Sequence, residues 1–411
     1  LRMIRRFANQ DSVEQHNSFK QFKRWRQERI RKLKLKDYSY QVPCAEPDVH
    51  FLHSNREQPS LTWVGHSTFL IQLAGLNIVT DPVWSEQMAF QKRLAPPGIP
   101  IDDVPPVDIV LISHSHYDHL NMNSLRRLAG KKQLLVPAGL SAKLKLRGFT
   151  RVQELHWWES TVIGGVKFTF VPSQHWTRRN PWDTNSSHWG GWVMEAPFAS
   201  KKREHGDSII NRQRREDAER QSEAKRRSWE EGPSEFDRQS DTEQQSQIEQ
   251  QCQVESLGGD EQRFEATAPL QNYNNSEAAS HQERPRISHS PTIYFAGDSG
   301  YFQGFKDIGR RFQIDVALMP IGAYEPEWFM GPQHVTPEEA IQAYEDCGAR
   351  LFVPMHYGAF KLADDTPREA LDRLEAERCR RELDASRFIL LPHGETWRIA
   401  AREVQAGSGN E

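Results

Sequence analysis

Asp108-Ile-Val-Leu-Ile-Ser-His114-Ser-His116-Tyr-Asp118-His119-Leu120 is the stretch on which the reading of this chain turns. Ile109 to Ile112 is a run of strongly β-forming apolar residues and predicts a buried strand. It runs straight into four candidate metal ligands: His114, His116, Asp118 and His119. Imidazole and carboxylate suit a borderline, hydrolytic cation such as zinc. Alternate residues of an extended chain point the same way, so His114 and His116 can share one ion while Asp118 and His119 face a second position. The plain alternative is a polar turn after a core strand. Three His and an Asp in H-x-H-x-D-H order, launched from a strand end, favour the metal site.

Working outward, the same arrangement recurs. Val166 to Val171 alternates as a strand and delivers His175 and Trp176. Thr292 to Ala296 leads into Gly297-Asp298-Ser-Gly300, where glycine on either side lets the backbone approach an ion. Leu351 to Met355 runs into His356. Four separate strand ends therefore supply ligands, a pattern that fits two cations about 3.5–4 Å apart sharing a hydroxide. Upstream, Leu61 to Leu73 and Leu76 to Asp81 read as strands joined by an Ala74-Gly75 turn. His66 within them is either a neighbour of the site or a hydrogen-bonded structural histidine, and the second is the expectation. Asn123 to Leu128 and Leu140 to Leu146 read as helices flanking a strand from Leu134 to Val136. Asp315 to Pro320 and Gly191 to Glu195 are further strands. Thr336-Pro337-Glu338-Glu339 is a helix start with N-cap, proline and N3 glutamate. Pro367 to Leu383 is a charged amphipathic helix, and Arg387 to Leu391 is expected to be the last strand. His393 has no assigned role.

The 411 residues carry a net charge of only −3, which gives no global argument for nucleic-acid binding. Cys44, Cys252, Cys347 and Cys379 are far apart with no C-x-x-C pairing, against a disulfide scaffold or thiolate zinc site and in keeping with a reducing compartment. No apolar run approaches the ~20 residues that span a bilayer. No secretory h-region stands near the start, and Leu1 leaves room for a preceding segment. Phe19 to Lys36 holds nine Lys or Arg against the single Glu28. Phe19, Phe22, Arg26, Ile30 and Leu33 fall near three-and-four spacing, so a helix with a narrow apolar stripe is expected. It either lies in a membrane interface, bases against anionic lipid, or packs its stripe on the globule. Residues 199–290 are rich in Gln, Glu, Arg, Ser and Asn and too poor in apolar groups to offset ordering entropy, so they read as a disordered enlargement of a hairpin loop. The expected organisation is a basic amphipathic extension at 1–50, one domain formed by 51–198 and 291–400, the 199–290 insertion and a flexible 401–411 tail.

Ligands in the order H-x-H-x-D-H … His175 … Asp298 … His356 resemble the metallo-β-lactamase superfamily. More specific are Trp63-Val-Gly-His66-Ser-Thr, Thr80-Asp81-Pro82-Val, Ser173-Gln-His175-Trp176, Phe295-Ala-Gly-Asp298-Ser-Gly-Tyr301, Ile321-Gly-Ala-Tyr324-Glu-Pro-Glu-Trp328-Phe-Met, Gln333-His334-Val-Thr-Pro and Met355-His356-Tyr-Gly-Ala-Phe360. These look like the N-acyl-phosphatidylethanolamine-hydrolysing phospholipase D family, over most of residues 60–200 and 291–362. Ser115, Ser299 and Tyr357-Gly-Ala359 depart from its usual Asn, Thr and Trp-Gly-Thr.

The resemblance implies an α/β fold, a four-layer αβ/βα sandwich with the site at one edge. It implies two Zn²⁺, one held by His114, His116 and His175, the other by Asp118, His119 and His356, with Asp298 bridging. Tyr117, Gln333 and His334 take substrate-handling positions, and Asp118, Asp298 and His334 are the expected catalytic residues. The implied reaction is hydrolysis of N-acyl-phosphatidylethanolamine by a metal-bridging hydroxide, giving N-acylethanolamine and phosphatidic acid. The implied partners are a phospholipid substrate and a peripheral membrane surface, with no nucleic acid and with a homodimer permitted. The implied location is intracellular, on a mitochondrial or other endomembrane. The competing expectations are another binuclear hydrolase of the same fold, acting on a lactone, cyclic phosphodiester or nucleic acid, and a non-catalytic metal-binding scaffold.

Overall fold

In the computed structural model, residues 6–11, 19–32, 36–88, 91–196 and 290–399 are described. The expectations for 199–290 and 401–411 fall outside the described residues. In chain order the strands are β1 (Ser60–Gly65), β2 (Thr68–Leu73), β3 (Leu76–Thr80), β4 (Gln87–Met88), β5 (Gln91–Lys92), β6 (Ile109–Leu111), β7 (Gln133–Pro137), β8 (Val152–Leu155), β9 (Ser160–Ile163), β10 (Val166–Val171), β11 (Gly191–Glu195), β12 (Thr292–Phe295), β13 (Val316–Pro320), β14 (Leu351–Met355) and β15 (Thr396–Arg398). The α-helices are α1 (Phe19–Lys32), α2 (Val49–Ser54), α3 (Met122–Arg127), α4 (Ser141–Lys145), α5 (Gly304–Arg311), α6 (Glu327–Met330), α7 (Pro337–Asp346) and α8 (Pro367–Arg380).

One sheet runs β15-β1-β2-β3-β6-β7-β8 and the other β14-β13-β12-β11-β10-β9. Strand residues alternate between two buried clusters. Trp63, Phe69, Ile71, Ile78, Ile109 and Leu111 meet Phe168, Trp192, Phe295 and Leu318 of the second sheet. Val64, Leu70, Val79, Val110 and Ile112 instead share a cluster with Leu52 of α2, Leu125 of α3 and Leu144 of α4. Because successive side chains take opposite faces, a strand covered on both sides reads as one unbroken apolar run, as Ile109 to Ile112 does. The architecture is the metallo-β-lactamase sandwich.

Direction within the sheets places the site. β3, β6, β7 and β8 are parallel, as are β12, β13 and β14. β10 and β12 are both antiparallel to β11, so they point the same way. The loops after β3, β6, β10, β12 and β14 carry Asp81, His114 to His119, His175, Asp298 and His356, and all converge on one edge of the sandwich. Gly297 permits the closest approach: its φ is +63°, and a Cβ there would stand 2.7 Å from Ser113 Cβ.

Two local expectations are corrected. Arg387 to Leu391 is not a strand: Ala385–Arg387 forms a 3-10 turn and Phe388 makes only an isolated bridge to Phe352. Pro392, which has no N–H to give, follows directly, and the pairing with β1 falls to β15. In α1, the two residues of the predicted stripe whose side chains are described, Arg26 and Ile30, are exposed, Ile30 by 58%. The inward residues are instead Trp25, stacked on Phe329 with centroids 5.4 Å apart, Glu28, which accepts from Trp328 Nε1 at 2.9 Å, and Arg29, 3.5 Å from Asp364. Among the described side chains, aromatic stacking and paired polar groups seat this helix beside α6.

Candidate metal centre

Asp298 Oδ2 lies at the middle of the site. His119 Nε2 stands 3.0 Å and His356 Nε2 3.1 Å from it, while His114 Nε2 and His175 Nε2 are each at 3.9 Å. On one side, His116 Nδ1 lies 2.9 Å from His114 Nε2 and 3.2 Å from His175 Nε2. On the other, Asp118 Oδ2 lies 3.2 Å from His119 Nε2 and 3.5 Å from His356 Nε2. The donor atoms of His114, His116 and His175 all fall within 4.8 Å of one another, as do those of His66, Asp118, His119 and His356. The seven predicted ligands are thus brought together from both sheets.

The hydrogen bonds behind the ligands fix which nitrogen faces inward. His119 Nδ1–H donates to Asp81 Oδ2 at 2.7 Å, and His175 Nδ1–H to the Gln333 carbonyl at 2.9 Å. Ser113 Oγ gives its proton to Asp81 Oδ2 at 2.5 Å, so its lone pair serves His114 Nδ1–H at 2.9 Å. Each of these bonds turns a bare Nε2 toward the centre, the usual role of groups behind metal-bound histidines.

The electrostatics ask for a cation. Burial holds His116 down to about 3 and His175 to about 4, so both imidazoles are neutral and present lone pairs to each other. Burial opposes charge on His356 too, but Asp298 and the bonds to Asp118 carry it up to about 9. His119 is likewise held well above its ordinary value against burial, by Asp298, Asp118 and Asp81. Asp298 Oδ1 is buried with no hydrogen-bond partner. Close lone pairs and an unshared buried carboxylate oxygen are what a divalent ion satisfies, and imidazole with carboxylate suits zinc. The residues fit the group.

Three other residues were expected to handle substrate. His334, at the rim, places Nδ1 3.9 Å from Asp298 Oδ2. Gln333 serves the site through its carbonyl, while its side-chain nitrogen approaches Met330 Sδ at 4.0 Å. Tyr117 is 43% exposed, and its hydroxyl donates to the Arg179 carbonyl at 2.9 Å rather than pointing at Asp298.

Sequence reasoning missed several contributors. His66, read as structural, does form a hydrogen-bonding contact, but with Asp118 Oδ2 at 3.1 Å. Its ring lies 4.1 Å from that of His356. Asp81 read only as a strand terminator. Arg179 gives hydrogen bonds of 2.8 Å to the carbonyls of Ser115 and Leu120, clasping the ligand loop from behind, and its guanidinium lies 4.0 Å from the Tyr117 ring centroid. The signal available for Asp81 was its place at the end of the strand beside β6. His66, Asp81 and His356 all have left-handed backbone, with φ of 54°, 31° and 63°. Such conformations cost roughly 1 kcal/mol each for residues with a Cβ and persist where surrounding structure demands them.

The family model of the beta-lactamase superfamily domain matches residues 76–203 and 232–357, more than half of the chain. This chain belongs to that superfamily. Within it, the chain is 27% identical over 364 residues to N-acyl-phosphatidylethanolamine-hydrolyzing phospholipase D 1 of Caenorhabditis elegans, covering 83% of this chain and 76% of that one. It is 25% identical over 327 residues to the mitochondrial N-acyl-phosphatidylethanolamine-hydrolyzing phospholipase D of Saccharomyces cerevisiae, covering 76% of this chain and 50% of that one. The isothiocyanate hydrolase from Delia radicum gut bacteria matches with a TM-score of 0.50 and 14% identity, covering 84% of this chain and 100% of that structure, a likeness of fold alone. The coarse chemistry that goes with this superfamily member is metal-dependent hydrolysis. Among the described residues no helix is long and apolar enough to cross a membrane.

Proposed function

We propose that this protein is a two-zinc phosphodiesterase of the phospholipase D type that hydrolyses N-acyl-phosphatidylethanolamine. The reaction type is supported by one observation above all: a single buried carboxylate, Asp298, set between a three-histidine group and an Asp-His-His group. The substrate is supported by the 27% identity to the C. elegans phospholipase across most of both chains. When bound, a pair of divalent ions lowers the pKa of water and neutralises phosphoryl oxygens.

The chain's own residues supply the rest. His114, His116 and His175 would hold one ion and Asp118, His119 and His356 the other, with Asp298 between the two groups. Burial keeps His334 well below its ordinary value and therefore neutral at physiological pH, so it offers a ring N–H to orient a phosphoryl oxygen, and the departing alkoxide takes up the proton that the attacking water releases. Water oxygen joins phosphorus, the phosphorus–oxygen bond to the N-acylethanolamine breaks, and phosphatidic acid remains.

A lipid substrate gives the exposed face of α1 a purpose. Lys20, Lys23, Arg26 and Arg31 lie on it, opposite the Trp25 and Glu28 contacts to α6, and α6 leads into Gln333 and His334. Bases presented this way suit an anionic membrane surface.

The test is turnover of N-acyl-phosphatidylethanolamine by the purified chain, with metal analysis, chelation and Asp298→Asn. Expected are chelator-sensitive release of N-acylethanolamine and loss of both turnover and metal in the variant. Turnover of only a generic phosphodiester would overturn the lipid assignment, and full activity in Asp298→Asn would overturn the mechanism.

A further inference from the structure

His175 lies beyond the last residue of β10, where its amide no longer has a neighbouring strand to donate to. The acceptor it finds is Asn9 Oδ1, at 3.1 Å and 166 residues earlier in the chain. The same oxygen accepts from Trp189 Nε1 at 2.9 Å, and that indole also reaches the Ser173 carbonyl at 3.1 Å. Asn9 is itself anchored through Phe7. The Phe7 amide donates to the Asn185 carbonyl at 2.9 Å, and its ring stacks on His188 with centroids 4.5 Å apart. His188 in turn packs on Trp157 at 4.1 Å.

We propose that Asn9 is a positioning residue for the first metal position, and that the segment at 6–11 is a strap which completes that position from the far end of the chain. His175 is fixed at two points. Its ring is aimed by the Nδ1–H bond to the Gln333 carbonyl, and its backbone by the Asn9 carboxamide. With both in place, Nε2 faces His116 Nδ1 at 3.2 Å. Without Asn9, a buried amide is left without its acceptor, a situation folded proteins avoid by shifting the segment. The His175 backbone then moves, and the triad opens on its one side. His119, His356 and Asp118 are anchored independently, through Asp81 and His66, so the second position is untouched. This inference rests on the reading of the cluster as a two-metal centre.

The experiment uses the full chain, stripped of metal and titrated with Co²⁺, whose visible absorption reports coordination at each position. Wild type is expected to take up two equivalents. Asn9→Ala is expected to bind one as before and the other about ten- to a hundred-fold more weakly, the usual cost of removing a group behind a metal ligand. Asn9→Asp keeps an oxygen that accepts both hydrogen bonds and is expected to restore the weakened equivalent and its spectrum. Wild-type affinity and spectrum in Asn9→Ala would overturn the proposal. So would equal weakening of both equivalents with a lowered melting temperature, which marks general loosening. Failure of the wild type to bind cobalt would refute the metal centre itself, and the role of Asn9 with it.

Discussion

Asp81→Asn is the most telling single change at the centre. Asp81 is fully buried and accepts three hydrogen bonds: Ser113 N–H at 2.7 Å, Ser113 O–H at 2.5 Å and His119 Nδ1–H at 2.7 Å. Asparagine has the same shape but only one acceptor oxygen, so in either flip its NH₂ faces a donor. Turned toward Ser113 N–H, it meets a backbone donor that cannot change. Turned toward His119, it forces the proton from Nδ1 onto Nε2, the nitrogen 3.0 Å from Asp298, and Nε2 then has no lone pair for a metal. Losing such a partner lowers metal affinity by about ten- to a hundred-fold, or roughly 1.4–2.7 kcal/mol. A hydrogen bond to a charged group is worth about 1.5–3 kcal/mol, so the metal-free protein loses on the order of 2 kcal/mol as well. Cobalt titration and urea unfolding of metal-free protein measure the two effects separately. The expected result is that both equivalents weaken, the one at the His119 position directly and the three-histidine one through the Ser113 hydroxyl that serves His114. Two equivalents bound at wild-type affinity would refute the tautomer argument.

Two further outcomes follow from features away from the ligands. Burial first, and the nearby Arg93 charge second, push His393 from 6.5 down to about 3, so it folds neutral while the unfolded chain protonates it. The unfolded state therefore binds more protons between those values, and stability falls as pH drops through that window, by about 2–3 kcal/mol between pH 7 and 4.5. His393→Gln is expected to flatten that acid limb in urea midpoints measured at several pH values, and an unchanged slope would exclude His393 as its source. Reversing Lys20, Lys23, Arg26 and Arg31 to Glu is expected to abolish sedimentation with phosphatidylserine vesicles, since each base near an anionic surface is worth about 1 kcal/mol. Undiminished binding would remove α1 from the membrane contact.

The cluster of candidate ligands was legible because four strand ends each carried a residue type that a polar loop has little other reason to hold in that order. Buried β-runs such as Ile109 to Ile112 made the sandwich legible for a similar reason, since both faces of the strand are covered. The partners behind the ligands were not. Asp81, Arg179 and Asn9 act through hydrogen bonds to groups distant in sequence, and no spacing rule links Asn9 to His175. His66 was read between a structural role and a place beside the site because one histidine in a strand turn looks the same whether its ring meets solvent, backbone or Asp118. On α1 the period pointed to Arg26 and Ile30, whereas the contact was decided by Trp328 and Phe329, residues far along the chain. Arg387 to Leu391 had strand-like composition but lacked a partner edge, which β15 took instead.

The pairing of β11 with β12 has a consequence for how this chain tolerates change. Residues 197–289 leave and rejoin the sheet at Glu195 and Thr292, which face each other across the ladder. Trp192 and Phe295, at the opposite end of that ladder, are the rung nearest Asp298. About four residues of strand, roughly 13 Å at 3.3 Å per residue, therefore separate the point of attachment from the chemistry. Two adjacent strand ends facing away from a site are where new chain termini can be opened or a foreign module spliced in.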